Sequence, residues 1–195
     1  MKKVAIMFIN LIIFLFFIGC GESVYYGDPG AVETVTEDFG STDLQMIAEK
    51  MVNSLIASNI WKPGERPVIA VLRLKNKTME HIDTKSITDK IRTALIRSGR
   101  FRFLDLSIRK DLAKELAYQN ETGFVNPSTA AKFGRQIGAQ YLLYGEITSI
   151  VKERGRIKDI YYKITLNLVN VETGILEWAD EKEIRKGAKK PVFGY

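Results

Sequence analysis

Tyr162-Lys163-Ile164-Thr165-Leu166-Asn167-Leu168 alternates apolar and polar residues without a break. Successive side chains of a strand point to opposite faces, so this spacing predicts a β-strand with one face in a core and the other half exposed. Turn signals bracket it, Arg154-Gly155-Arg156 before and Glu172-Thr173-Gly174 after. They imply a strand on either side. One enters at Tyr141-Leu142-Leu143-Tyr144 and runs to about Lys152, and the other covers about Ile175 to Glu183. The C-terminal part of the chain therefore reads as three strands joined by turns.

Upstream the pattern changes. Val68-Ile69-Ala70-Val71-Leu72 is continuously apolar and β-rich, as in a strand buried on both faces. Helical spacing surrounds it. Leu44, Ile47, Ala48, Met51, Leu55 and Ile56 recur at three- and four-residue steps after Ser41-Thr42-Asp43. Thr42 and Gln45 there have capping-box spacing. Thr84 stands at the cap of a second helix with core positions Ile87, Ile91, Ala94 and Leu95, ended by Gly99. Phe101 to Leu104 reads as a short strand, and Ile108, Leu112 and Leu116 mark a third helix. Asn120 to Asn126 is a loop, and Pro127-Ser128 opens a fourth helix that stops at Gly138. The order α-β-α-β-α-α-β-β-β makes this an α/β (α+β) chain, a mixed β-sheet packed with helices.

The N-terminus points to export. A basic start, Met1-Lys2-Lys3, leads into an apolar run of 15 residues, Val4 to Ile18, broken only by Asn10. A membrane-spanning helix needs roughly 20, so the run fits the apolar region of a signal peptide. Phe17-Ile18-Gly19-Cys20 resembles a lipobox, with a small residue before a cysteine that would be acylated. Cys20 is the only cysteine of the chain. It can form no internal disulfide, and acylation would remove a thiol that is a liability outside the cell. Gly21, where Asp retains lipoproteins at the inner membrane, favours the outer membrane. The expected organisation is a signal peptide over 1–19, a flexible tether over 20–40 and one globular domain over 41–195. The tether carries Gly27-Asp28-Pro29-Gly30 and no apolar periodicity. Its twenty or so residues reach about 70 Å at full extension and about 25 Å as a coil. Loss of Lys2 and Lys3 with the signal peptide takes the net charge from +6 to +4, a modest excess suited to anionic headgroups or an acidic partner.

Residues that could carry chemistry are scarce. His81 is the only histidine, and between Glu80 and Ile82 at a helix entry it reads as a loop or interface residue rather than a general base. One histidine and one lipidated cysteine cannot supply the usual zinc ligands, and no calcium-loop pattern of acids appears. No catalytic residue, metal or cofactor is expected, and the chain is not expected to be an enzyme. Arg100-Phe101-Arg102-Phe103 interleaves bases and aromatics, but a strand with alternating faces accounts for it, and no nucleic-acid partner is expected. Two basic runs remain. Lys152, Arg154, Arg156 and Lys158 flank a hairpin turn, and Arg185, Lys186, Lys189 and Lys190 mark the C-terminal segment. The plain reading of both is a solvated face; the other is contact with lipid headgroups, cell-wall carboxylates or a partner protein.

Val71-Leu72-Arg73-Leu74-Lys75-Asn76-Lys77-Thr78, Glu80-His81-Ile82-Asp83-Thr84, Ile91-Arg92-Thr93-Ala94-Leu95, Gly99-Arg100-Phe101 and Ala139-Gln140-Tyr141-Leu142-Leu143-Tyr144-Gly145-Glu146-Ile147 together resemble the LpoB family of penicillin-binding protein activator lipoproteins. Tyr161-Tyr162-Lys163 and Glu172-Thr173-Gly174 extend the likeness. The strand-plus-loop opening is shared with the CsgG and TolB N-terminal-like folds, and Glu80 to Thr84 discriminates better. The resemblance implies a lipid-anchored outer-membrane protein facing the periplasm. Its partner would be a class A bifunctional penicillin-binding protein, whose glycan polymerisation and cross-linking it stimulates without bond chemistry of its own. A monomer is expected. The alternative is a CsgG-like secretion lipoprotein that oligomerises in the envelope; the one candidate for a pore hairpin, near Val151–Ile160, is short and basic. Recognition usually sits on loops held by a rigid sheet. That nominates Asn76, Lys77, Thr78, Glu80 and His81 in one loop, and Asn120, Glu121 and Thr122 in another, as partner-binding residues.

Overall fold

The alternating stretch lies in the middle of β5 (Ile157–Asn170) in the computed structural model, which describes residues 27–32, 36–121, 123–126, 128 and 138–190. β4 (Tyr141–Arg154) and β6 (Leu176–Lys189) run antiparallel along its two sides. Ahead of them come α1 (Ser41–Ala57), β1 (Val68–Val71), β2 (Lys75–Asn76), α2 (Thr84–Arg97), β3 (Arg102–Leu104) and α3 (Arg109–Glu121). β1 is parallel to both β3 and β4, and the two-residue β2 pairs with β4 further along. The result is a six-stranded mixed sheet of order β3-β1-β4-β5-β6. β1 and β3 are joined through α2, the helical crossover that parallel neighbours need. The chain divides into two compact units, 1–31 and 32–195, and every helix and strand named here belongs to the second.

Position in the sheet explains the two apolar patterns. β1 has a neighbour on each side, and Val68, Ile69 and Ala70 are all at most 5% exposed. In β5 only Ile160, Tyr162, Ile164, Leu166 and Leu168 are buried, the alternate residues being half exposed. Ile47, Met51 and Leu55 of α1 and Ile87, Ile91 and Leu95 of α2 join them in one hydrophobic cluster. α1 also packs on β6, where Trp178 Nε1 donates to Ser54 Oγ at 3.3 Å and Lys50 Nζ meets Asp180 Oδ2 at 2.7 Å.

The structure corrects several local expectations. α1 is capped at Gly40, whose N–H donates to Asp43 Oδ2 at 2.9 Å, so Asp43 rather than Gln45 turns back over the first turn. Asp83, not Thr84, caps α2: its carboxylate accepts from Lys85 N–H at 3.0 Å and Ser86 Oγ at 2.6 Å. Those bonds, led by the Ser86 hydroxyl, hold its carboxyl below the usual range. Asn76, expected in a loop, instead joins Lys75 in a short strand. On α3 only Leu116 is buried; Ile108 and Leu112 are half exposed. β4 and β6 both run further than their apolar patterns suggest. The expected fourth helix after Pro127 falls outside the described residues, Ser128 and Gly138 apart.

Residues 37–40, which the sequence reading counts with the tether, are bonded to the sheet and to the loop before α2. The Tyr162 hydroxyl donates to the Glu80 carboxylate, with the Glu37 carbonyl 3.2 Å away. The Phe39 N–H donates to the other Glu80 oxygen at 3.1 Å, and the Phe39 ring meets Tyr162 edge to face at 5.9 Å. Lys186 Nζ lies 2.5 Å from Asp43 Oδ2 and donates to the Asp38 carbonyl. Both charged side chains are nearly buried, at 11% and 5% exposure. A charge so desolvated needs its partner, since removing one member leaves the other uncompensated.

Gly145 is a point where β4 tolerates no side chain. A Cβ there would stand 2.0 Å from the Thr165 carbonyl oxygen and 2.9 Å from Leu166 Cδ2. Gly145→Ala should therefore lower the urea unfolding free energy by about 3 kcal/mol. Gly187→Ala on β6, where a Cβ meets nothing within 4 Å, should be neutral or slightly stabilising. Equal effects would show that β4 and β5 do not approach as described.

The clasp gives a second expectation. Burial, then the bond to Glu80, raises the Tyr162 hydroxyl far above its ordinary value near 10. The folded chain holds that proton more tightly than the unfolded one. The stabilisation is therefore complete below about pH 10 and fades as pH rises past the value of the unfolded phenol. Tyr162→Phe should cost about 1–3 kcal/mol at neutral pH and reduce the alkaline loss of stability. Unfolding curves at about pH 8 and about pH 11 test this; an alkaline loss identical in both proteins would remove Tyr162 from the account.

Candidate functional site

The loop from Asn76 to Asp83 begins where β2 leaves β4. Leu74 is buried, Asn76 is in register with Ile147, and the Lys77 N–H donates to the Ile147 carbonyl at 2.8 Å. The loop then folds on its own polar side chains. Asn76 Oδ1 accepts from the Thr78 N–H at 2.9 Å, and the Thr78 hydroxyl lies 2.8 Å from it. Asn76 Nδ2 donates to the Glu80 carbonyl at 2.8 Å, and the Glu80 N–H donates to Thr78 Oγ1 at 3.2 Å. Ile82, buried, anchors the far end, with its N–H 3.1 Å from the Glu80 carbonyl.

These bonds sort the residues nominated from the sequence. The side chains of Asn76, Thr78 and Glu80 are engaged inside the loop or, for Glu80, in the clasp with Tyr162 and Phe39. Their polarity serves the loop's own shape. Lys77 and His81 are exposed. Between them stands Met79, 96% exposed, which the polarity of its neighbours had hidden. An apolar side chain in an otherwise polar loop was the available signal. Lys77, Met79 and His81 thus form an outward ridge on a loop whose inner side is fixed by hydrogen bonds. The ridge offers one cation, one flexible apolar side chain suited to irregular surfaces and one imidazole.

The second nominated loop is of a different kind. Asn120 Nδ2 donates back to the Leu116 carbonyl at 2.8 Å, as a helix-end residue. Glu121 is exposed at the last position of α3, and Phe124, 81% exposed, stacks on Tyr118 at 6.2 Å. Thr122 and Cys20 lie outside the described residues. Among the described residues no three His, Cys, Asp or Glu side chains gather as a metal ion would require, and no helix is long and apolar enough to cross a membrane.

A protein-family model described as peptidoglycan-synthase activator LpoB matches residues 43–184, which takes in β1 to β5, most of β6, nearly all of α1, α2 and α3, and the ridge. The chain is 25% identical over 119 residues to a penicillin-binding protein activator LpoB of Dickeya dadantii, covering 61% of this chain and 57% of that one. It thus spans a little over half the length of that relative. With the protein of the same name from Yersinia pestis the identity is 23% over 145 residues, 74% of this chain and 71% of the other. Among solved structures, the LpoB C-terminal domain from Salmonella enterica superposes with a TM-score of 0.44 at 18% identity, over 73% of this chain and 98% of that one. With the family model covering most of its length, the chain belongs to the LpoB family of peptidoglycan-synthase activators.

Proposed function

We propose that this chain is a lipoprotein that regulates peptidoglycan synthesis by contact. It is acylated at Cys20, held on the periplasmic side of the outer membrane, and docks on a class A bifunctional penicillin-binding protein through Lys77, Met79 and His81. The family match over residues 43–184 carries this reading, and the relatives named above are called penicillin-binding protein activators. The geometry of the ridge supports it. A loop already ordered by its own hydrogen bonds loses little conformational freedom on docking, and an exposed Met79 can bury most of its surface in a partner's pocket.

Activation then needs no chemistry from this chain. A ligand shifts a conformational equilibrium only by its differential affinity for the two states. The ridge must therefore fit the active conformer of the synthase better than the resting one, and each tenfold preference is worth about 1.4 kcal/mol.

The test uses the detergent-extracted lipoprotein as bait on membrane extracts, followed by a glycan-polymerisation assay with the synthase retained. We expect retention and a faster rate. Met79→Asp and Lys77→Glu should each weaken retention about tenfold or more, as loss of an interface anchor does, with unfolding midpoints unchanged because both side chains are exposed. If no penicillin-binding protein is retained, or its rate does not change, the proposal fails.

A further inference from the structure

β4, β5 and β6 continue well past the core. The last buried residue of β5 toward the Gly155 turn is Ile160, and Ile150 to Ile157 are all exposed. Five residues of strand make a tongue that stands about 17 Å beyond the core. The ladder is complete to its end: Arg154 pairs with Ile157, Ile157 with Lys189, and the Lys190 N–H donates to the Arg156 carbonyl at 2.8 Å. Gly155 takes φ 58 at the first turn position, as a tight two-residue hairpin requires.

This pairing brings the two basic runs of the sequence to one place and divides them by role. Lys158 faces Glu37, Lys186 is bound to Asp43, and Arg185 lies 3.4 Å from Asp159. Among the described residues, Lys152, Arg154, Arg156, Lys189 and Lys190 have no carboxylate partner. Cross-strand partners share a face, so Ile150, Lys152 and Arg154 of β4 lie on the same face as Ile157 of β5 and Lys189 of β6. Two aliphatic side chains more than half exposed, Ile150 at 58% and Ile157 at 56%, thus sit among three of these free cations. Val151, 44% exposed, adds apolar surface on the other face.

We infer that the tip of this tongue is a membrane-contact surface for anionic phospholipid. Cations alone would suit any polyanion. Cations interleaved with exposed Ile150 and Ile157 suit an interface that offers headgroup charge and hydrocarbon together. The point where the N-terminal segment meets the domain agrees. Glu37 and Asp38 are held by Lys158 and Lys186, at the base of the same tongue. The inference rests on acylation of Cys20. Sixteen residues lie between Cys20 and Glu37, so the two can be no more than about 60 Å apart. An acyl anchor on Cys20 would keep the tip within a comparable distance of the bilayer. Each cation near an anionic surface strengthens partition roughly fivefold.

Cys20 is the only cysteine, so in the acylated protein Arg156→Cys supplies a single thiol at the turn. Thr173→Cys supplies one at the opposite end of β5, about 45 Å away. Each full-length lipoprotein is labelled with an environment-sensitive dye and reconstituted into vesicles. One set is phosphatidylethanolamine with phosphatidylglycerol, the other phosphatidylcholine alone. We expect a blue shift and a several-fold rise in emission for the label at 156 on the anionic vesicles only, and none for the label at 173. Adding Lys152→Glu, Arg154→Glu and Lys189→Glu should abolish the shift while the protein still floats with the vesicles. Flotation without any shift overturns the tip contact and leaves the lipid anchor standing. Failure to float overturns both. A shift on isolated peptidoglycan sacculi but not on vesicles reassigns the tip to the cell wall and overturns the lipid contact.

Discussion

Tyr162 is a fully buried residue carrying a hydroxyl, and a buried hydroxyl without a partner costs several times what a net hydrogen bond contributes. Its place in the alternation of β5 is dictated by the core, so the partner has to come to it. Glu80 does so from the loop before α2, 82 residues away in sequence. The same carboxylate then accepts from the Phe39 N–H, and the Glu37 carbonyl completes the surround. One phenol thereby fixes the loop, the last turn of chain before α1, and the middle strand of the antiparallel half. The nearly buried pair of Lys186 and Asp43 closes the same segment from β6.

That constraint separates the two sides of the loop from Asn76 to Asp83. With Glu80 turned inward, and Asn76 and Thr78 tied to each other and to the Glu80 backbone, the alternate residues Lys77, Met79 and His81 must face out. The loop resembles a short pleat whose inner polar face is satisfied by the protein and whose outer face is left for another surface. A partner that binds there meets side chains on a backbone it need not order, so more of the contact energy remains for discriminating between its own conformers.

How much of this could be read from the sequence follows from the range of each interaction. The burial alternation of Tyr162 to Leu168 and the continuous run of Val68 to Leu72 are local patterns, and they were enough for a mixed sheet with helices against it. The helix faces of Ile47, Met51 and Leu55 and of Ile87, Ile91 and Leu95 are local in the same sense. The caps were harder, because Thr42 with Gln45 and Gly40 with Asp43 both have plausible spacing, and the choice is made by Lys186 drawing Asp43 inward. Glu80 reads as partner-facing because it lies in a polar loop; its bond to Tyr162 is a contact that no window of sequence contains. Met79 is legible only as the one apolar side chain in a polar loop, a signal that a search for polar contact residues misses. The two basic runs were visible as composition. Their union at one tip, and the neutralisation of Lys158, Lys186 and Arg185, depend on strand register.

Register also places three features at one end of the domain. The ridge is tied through Glu80 to Tyr162, seven residues along β5 from Gly155, so it lies roughly 20 Å from the tip of the tongue, with Glu37 and Asp38 beside both. A domain seated on the bilayer by its tip would hold the ridge near the membrane, although the chain between Cys20 and Glu37 is long enough for about 60 Å. The seat is weak by composition: two exposed isoleucines and a handful of cations give reversible interfacial binding, far short of what acyl chains provide. A synthase that captured Met79 in a pocket would supply free energy of the same order, enough to draw the domain off the lipid with an acyl anchor still in place. On this view the domain would rest at the membrane and be lifted by its partner, with the tongue and the ridge competing for the orientation of one rigid sheet.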